Sequence, residues 1–221
     1  MLFRSSHSDT NRLHRASGRG PKFAFGTKAE TLERLSPLVQ SCSVPPLRHF
    51  AVGQWSQNPS AILSELRNAF RANVDAAEHD GDRAGRNAPR ISLAIRSSAR
   101  HEDSASQSMA GAFCSELNVD MDDDAQMIAA INKVAESYRS SNPDHQILVQ
   151  PMMNNIAISG VLMTHDLANG APYYIINYDD ESGRTDVITG GSGAVKSVAV
   201  HRDAPQELIE SPRIAALLRM A

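Results

Sequence analysis

Apolar residues recur at helical spacing soon after the start of the chain. In "FGTKAETLERLSPLVQ" Leu32, Leu35 and Val39 fall on one face of a helix with a period of 3.6 residues. Thr27 and Glu30 stand in the S/T-x-x-E order, in which the cap residue and the third helical residue exchange hydrogen bonds. The pattern predicts a helix that begins near Lys28.

Two further segments have helical periodicity. Asn58 and Pro59 have the residue types of an N-cap and a first helical position. The apolar residues of the helix that they open are Ile62, Leu66, Ala69, Phe70 and Val74. In "DDDAQMIAAINKVAESYRSS" acidic residues precede an apolar face, as suits the positive end of a helix dipole. That predicted face consists of Ile128, Ile131, Ala135 and Tyr138.

Alternation with a period of two predicts the strands. In "RISLAIR" one face carries Ile91, Leu93 and Ile95, while the other is small and ends in Arg96. Strands are also predicted between Leu47 and Val52 and in "QILVQPM", "NIAISGVLMTHD", "PYYIINYDD" and "VKSVAVHR". Asn169-Gly170 is a reversal signal, so the strands on either side of it should pair antiparallel. This order of elements predicts an α+β fold with a mainly antiparallel sheet and flanking helices.

Composition and charge narrow the classes of function. The 221 residues are 41% hydrophobic, which is enough for a core, and the net charge is −3. We therefore expect neither a nucleic-acid partner nor a membrane partner, since both favour a basic surface. The two cysteines, Cys42 and Cys114, do not have the spacing of metal ligands. Their small number is typical of a reduced, cytoplasmic protein.

The first twenty-two residues differ from the rest of the chain. They are rich in Arg and Ser, contain one acidic residue and lack apolar periodicity, which predicts a disordered basic extension over residues 1–22. An organellar transit peptide and an upstream start codon are alternatives. Residues 23–221 are then the folded domain, with two subdomains.

Two segments suggest a site for phosphate. Arg96 ends a strand face of small residues and is followed by a serine-rich loop with Gly111, and a guanidinium and backbone N–H groups both suit phosphate oxygens. Lys28 stands at a predicted helix N-terminus, which also favours anions. The alternatives are an ordinary exposed lysine and a solvated serine-rich loop beside an arginine paired to Glu102 or Asp103.

Four segments together resemble a known family. In order, "FGTKAETLERL", "PRISLAIRSSARHEDSASQSMAGAF", "ILVQPMMNNIAISGVLMTHD" and "PYYIINYDDESGRTDVITGGSG" resemble the N-terminal ATP-grasp domain of the phosphoenolpyruvate synthase and pyruvate phosphate dikinase superfamily, over about residues 22–203. The last segment looks closest to the L-glutamine kinases of capsular phosphoramidate synthesis. The resemblance implies that Lys28 and Arg96 hold the ATP phosphates. It also implies that Ser97, Ser98 and the segment from Ser108 to Gly111 line the phosphate end.

The same resemblance implies an adenine-binding hinge at Gln150, Pro151 and Met152. It implies magnesium as a cofactor and a phosphoryl relay from ATP, through a histidine on another domain, to an acceptor, with release of AMP. At Thr27 the sequence departs from the glycine that is common before this lysine in the dikinases. None of the eight histidines stands in a glycine-flanked Thr-His context.

The resemblance therefore predicts an incomplete ATP-grasp domain, whose metal ligands and phosphocarrier histidine lie outside this chain. The expected acceptor is a small molecule such as L-glutamine; alternatives are a pyruvate or water dikinase, another small-molecule kinase, and a non-catalytic subunit that binds nucleotide beside a separate histidine-bearing chain. The acidic residues Asp179, Asp180, Glu181 and Asp186 are either a solvated turn or metal ligands.

Overall fold

The computed structural model describes residues 23–77, 90–99, 103–104, 107–108, 114–138, 140, 142–185, 188 and 195–219. Its helices are α1 (Lys28–Leu35), α2 (Val52–Gln57), α3 (Pro59–Ala77), α4 (Asp124–Glu136) and α5 (Pro212–Leu218), with a 3-10 turn at Gln206–Leu208. Its strands are β1 (Arg48–Ala51), β2 (Ser92–Ser98), β3 (Asp103–Ser104), β4 (Gln107–Ser108), β5 (Ser115–Asp120), β6 (Gln146–Pro151), β7 (Ser159–Met163), β8 (Tyr173–Asp179) and β9 (Lys196–His201).

The strands form two main sheets. The first sheet has four strands in the order β1-β6-β2-β5, and the second has three in the order β7-β8-β9. Every neighbouring pair in both sheets is antiparallel. β3 and β4 form a separate short antiparallel pair. The predicted α+β class with antiparallel sheets and flanking helices is confirmed.

Helices α2, α3 and α4 cover one face of the first sheet. Alternate residues of the strands point to this face, as the period of two requires. The apolar side chains of the sheet and of the three helices form one buried cluster. Its members are Phe50, Trp55, Leu63, Leu66, Phe70, Leu93, Ile95, Val119, Met121, Met127, Ala130, Ile131, Val134, Ile147 and Val149.

Helix α1 lies on the opposite face of the first sheet, which we call the α1 face. A smaller buried cluster of Ala29, Leu47 and Leu148 joins the helix to β6 and to the residue before β1. Arg96 is directly opposite Leu148 in the pairing of β2 with β6, so both side chains belong to this face. The α1 face is therefore partly apolar and partly polar.

The helix starts agree with the sequence prediction, but one helix face does not. Asn58 Oδ1 accepts from the N–H of Ala61, and α3 begins at Pro59. The predicted alignment of Ile128 with the core of α4 is wrong, because 38% of that residue is exposed. The buried face consists of Met127, Ala130, Ile131 and Val134, which follows the 3.6-residue period with a different starting residue.

Strand β5 and helix α2 are among the elements that were not predicted from the sequence. β5 has the sequence SELNVD, in which polar residues dominate, and a register shift interrupts its pairing with β2 between Leu93 and Ile95. After Ala51 the chain turns directly into α2, whereas the prediction had a strand to Val52. The predicted antiparallel pairing of β7 with β8 is confirmed. Gly170 lies in their connection with a φ of 72°, which glycine adopts without steric cost.

Helix α5 is joined to the end of β8 by an ion pair. Ile214 is buried, as is Ile176 of β8. Asp180, just after β8, accepts from Lys196 Nζ at 2.6 Å and from Arg213 at 3.3 Å. The hydrogen bond from Lys196 is the largest cause of the lowered pKa of Asp180. One carboxylate thus connects β8, β9 and α5.

We expect Asp180→Asn to lower the melting temperature at neutral pH by about 2 °C, since exposed ion pairs contribute little. Because the folded state lowers the pKa of Asp180, its contribution is present above the unfolded pKa of about 4 and is lost as the pH falls further. Melting curves across acidic pH should therefore converge with those of the unmodified chain. Asp203→Asn, an exposed carboxylate, is the control, and a difference that persists at low pH would contradict the assignment.

Candidate nucleotide site

The N-terminus of α1 is held on the first sheet by a capping box that extends to β6. Thr27 Oγ1 accepts from the N–H of Glu30 at 3.2 Å, and Glu30 Oε2 accepts from the N–H of Thr27 at 3.3 Å. Gln146 then bonds to both side chains: its Oε1 accepts from Thr27 Oγ1 at 2.7 Å, and its Nε2 donates to Glu30 Oε1 at 2.9 Å. The predicted capping box is confirmed, and β6 fixes its position.

The end of β2 is a second anchor for the same helix. Ser98 is fully buried, and its Oγ accepts from the N–H of Ala29 at 2.9 Å. The N–H of Ser98 donates at 2.8 Å to the hydroxyl of Tyr138, which itself donates to the C=O of Gln146. Tyr138 therefore ties β2 to β6 at the place where α1 begins.

These anchors bring Lys28 and Arg96 to the same face of the sheet. Lys28 lies between Thr27, which is bonded to Gln146, and Ala29, which is bonded to Ser98. Arg96 is two residues from Ser98 on the same face of β2, which is about 7 Å along a strand. The backbone positions of two cations that are far apart in sequence are thus neighbours on the α1 face.

The Arg96 side chain has an unusual environment for a cation. Its Nε is buried and has no hydrogen-bond partner among the described residues. Burial also lowers the pKa of the guanidinium from its usual value, because desolvation disfavours the charged form. A buried donor without a partner is costly. A phosphate oxygen, which is anionic and accepts hydrogen bonds, fits this donor.

The other residues predicted at the phosphate end, besides Ser98, are Ser97, Ser108 and Gly111. Ser97 is buried, and its N–H donates to the C=O of Cys114 at 3.3 Å. By alternation it points away from the α1 face, unlike Arg96 and Ser98. Ser108 lies in β4, and its side chain, like Gly111 as a whole, lies outside the described residues.

The predicted hinge is at the far end of β6. Gln150 is half-buried and directly opposite Ala94, so it shares the α1 face with Arg96. The N–H of Met152 donates to the C=O of Ser92 at 2.8 Å. That N–H is therefore used within the sheet, whereas the Gln150 side-chain amide remains a candidate for contact with a base.

The structure changes two expectations about the start of α1. The N–H groups of Ala29 and Glu30 are not free for an anion, because Ser98 Oγ and Thr27 Oγ1 accept from them. Thr27 has a φ of −64° in the extended region, so this position does not require glycine. The Thr27 departure from the dikinase pattern is compatible with the backbone, and its hydroxyl supplies the cap.

Asp179, the last residue of β8, stabilises the turn that follows it. Asp179 is buried and accepts from the N–H groups of Glu181 and Ser182. Its hydrogen bond with the Ser182 side chain is the largest cause of its lowered pKa. Asp186 lies outside the described residues. Among the residues that are described, no group of three or more His, Cys, Asp or Glu side chains is arranged to hold a metal ion.

Sequence reasoning missed Gln146 and Tyr138, which position α1 on the sheet. Gln146 looks like the polar first residue of a buried strand, and Tyr138 was assigned to the apolar face of α4. The capping box is the sequence signal that points to a further contact. A cap hydroxyl that is nearly fully buried, as that of Thr27 is, needs a second hydrogen-bond partner. Nothing in the sequence identifies that partner as a residue of β6.

The comparison with protein families bears on what this face of the sheet could bind. The family model for the pyruvate phosphate dikinase AMP/ATP-binding domain matches residues 56–190, more than half of the chain. The chain belongs to this family and is a nucleotide-binding part of a phosphoenolpyruvate synthase-like phosphotransferase. The match includes Arg96 and Gln150 but begins after Lys28.

No curated protein matches the chain. In the part of the chain that the structure describes, no helix is both long enough and apolar enough to cross a lipid bilayer.

We expect Gln146→Ala to lower the free energy of unfolding by about 1–3 kcal/mol, because it leaves Thr27 and Glu30 without their partner on β6. Gln150→Ala is the matched control on the same strand and the same face, with an expected change within about 0.5 kcal/mol. Urea unfolding measures both. Equal losses in the two variants would show that Gln146 does not anchor α1.

Proposed function

We propose that the chain is the ATP-binding part of a glutamine-kinase-like phosphotransferase, with Lys28 and Arg96 as the residues that hold the ATP phosphates. The single observation that carries this proposal is the buried Nε of Arg96, which has no partner among the described residues. A protein gains nothing in stability from such a group, so a bound anion is the best physical reason for it. Membership of an AMP/ATP-binding family supports the phosphate chain of a nucleotide as that anion.

The order of residues along β2 supports an orientation for ATP. Ser98, beside the start of α1, is at one end, and Ala94, opposite Gln150, is four residues away. Four residues of strand span about 13 Å. We infer that the phosphates lie near Lys28 and Arg96, and that the adenine lies toward Gln150 and the following hinge residues. The base would then contact the side-chain amide of Gln150.

The chemistry of ATP is phosphoryl transfer, and these residues have a limited part in it. Lys28 and Arg96 neutralise phosphate charge and orient the phosphate chain, which is most of what a protein contributes to this reaction. Among the described residues, no group of three or more His, Cys, Asp or Glu side chains is arranged to hold a metal ion. We propose that the metal ligands, the phosphocarrier histidine and the acceptor site belong to other segments, and that the protein acts in the cytoplasm.

We expect Arg96→Met to lower ATP affinity about tenfold or more, because a charge-assisted contact with phosphate is lost. The same substitution should leave the free energy of unfolding unchanged or higher, since it removes a buried donor without a partner. Isothermal titration with ATP and urea unfolding measure the two effects. A structural arginine would give the opposite pattern, with lower stability and unchanged affinity.

Two variants complete this test. Lys28→Ala should also weaken ATP binding. Arg48→Gln, which removes an exposed arginine from β1 of the same sheet, should not. If neither Lys28→Ala nor Arg96→Met changed the affinity, the proposed phosphate site would be wrong.

Formation of AMP tests whether this chain completes the reaction without another segment. Chain 1–221 is incubated with ATP, magnesium and either L-glutamine or pyruvate, and AMP is measured by phosphorus NMR. We expect binding of ATP without AMP above the protein-free rate in either mixture, because the relay histidine is supplied from elsewhere. If AMP forms only with glutamine, glutamine is supported as the acceptor, but the proposal that another segment supplies the relay histidine is wrong. AMP that requires pyruvate would favour a dikinase.

A further inference from the structure

A cavity of about 630 Å³ lies between α2, the last turn of α4 and the loop before β6. Helices α2 and α4 cover the face of the sheet opposite α1, so this cavity is separate from the proposed ATP site. Its size is within the range of sites for small molecules. Trp55 and Tyr138 contribute aromatic surface to its walls, and Asn132 holds the Trp55 ring through a 2.8 Å hydrogen bond from Nε1.

The polar lining of this cavity favours a cation. Among the described lining residues Glu136 carries the one charge, and Gln57, Asn132 and Asn142 add amide groups. Asn132 and Glu136 belong to the last turn of α4, where the helix dipole is negative. Aromatic rings also attract cations. A phosphate would be repelled here, whereas an ammonium group on an apolar body matches both the carboxylate and the rings.

Tyr138 connects this cavity to the start of α1. Its ring lines the cavity and stacks on His145, with the ring centroids 4.3 Å apart. Its hydroxyl accepts from the N–H of Ser98 at 2.8 Å, and Ser98 Oγ accepts from the N–H of Ala29 at 2.9 Å. A molecule that fixes the Tyr138 ring therefore also fixes the hydrogen bonds that position Ala29.

We propose that this cavity binds a small organic cation, and that occupancy stabilises the start of α1 through Tyr138. Binding in the cavity does not depend on whether ATP is the nucleotide of the other site. The coupling follows from thermodynamic linkage: a ligand that favours one position of Tyr138 favours the α1 position bonded to it.

Trp55 is the single tryptophan of the chain and reports binding directly. Benzylamine, which is an ammonium ion at neutral pH, is titrated while Trp55 fluorescence is recorded, with benzyl alcohol and benzoate as neutral and anionic probes of similar shape. We expect a saturable change with benzylamine and weaker or no binding of the other two. No change in Trp55 fluorescence, or equal binding of all three probes, would overturn the assignment.

Glu136→Gln tests the charge without changing the shape of the side chain. It should weaken benzylamine binding about fivefold and leave benzyl alcohol binding unchanged. Glu65→Gln, which removes an exposed carboxylate from α3, is the matched control and should have no effect. Equal effects of the two variants would show a general response to net charge rather than a site at Glu136.

Hydrogen exchange at the amide of Ala29 tests the coupling, and it needs no nucleotide. Saturating benzylamine should slow this exchange about fivefold in the unmodified chain. Tyr138→Phe keeps the ring but removes the hydroxyl, so the probe should bind without slowing exchange at Ala29. If this variant does not fold, slowing at Ala29 without slowing at Ile176 of the second sheet supports the coupling. Equal slowing at both amides, or none, would overturn it.

Discussion

The position of α1 depends on one set of hydrogen bonds between the helix start and the end of the first sheet. Gln146 bonds to both members of the capping box, and Ser98 accepts from the next N–H of the helix. A helix of only eight residues contributes little stability by itself. Its apolar contact with the sheet is also small: Ala29, Leu47 and Leu148 are buried, and the partly buried Leu32 and Val44 pack against them. The polar anchors therefore decide where Lys28 lies.

Arg96 differs from these anchors in whether its buried polar atoms have hydrogen-bond partners. The anchors of α1 satisfy their buried polar atoms, whereas Arg96 has a buried Nε that no described residue satisfies. Folding thus creates a local cost at this one position. Such costs concentrate at binding sites, where the ligand offsets them. We propose that this contrast between neighbouring polar groups on the same face separates a structural role from a binding role.

The sequence predicted the parts that depend on local interactions. The capping box at Thr27 and Glu30 and the start of α3 at Asn58 involve residues within one turn, and they are where the pattern placed them. It did not predict β5, whose side chains are mainly polar and whose register is interrupted. A strand of this kind is defined by its pairing with β2, which local periodicity does not contain.

The same distinction between local and long-range interactions holds for the candidate site. Residue type and position marked Lys28 and Arg96 as candidates for phosphate contact, but the hydrogen bonds that bring their backbones together join residues 69 to 119 positions apart in the sequence. The face of α4 that packs on the core was also not predicted. The helix itself was predicted, but its packing buries Met127 and leaves Ile128 exposed.

Strand β6 makes the core and the candidate site depend on each other. Ile147 and Val149 belong to the buried cluster, while the alternate residues Gln146, Leu148 and Gln150 serve the α1 face. A slip of one residue in its pairing would send the glutamines into the apolar cluster and the branched side chains to the α1 face. The apolar cluster excludes that slip, because burying two amides without partners is far more costly than any gain. The packing of one face thereby fixes, residue by residue, which groups the other face offers to a ligand.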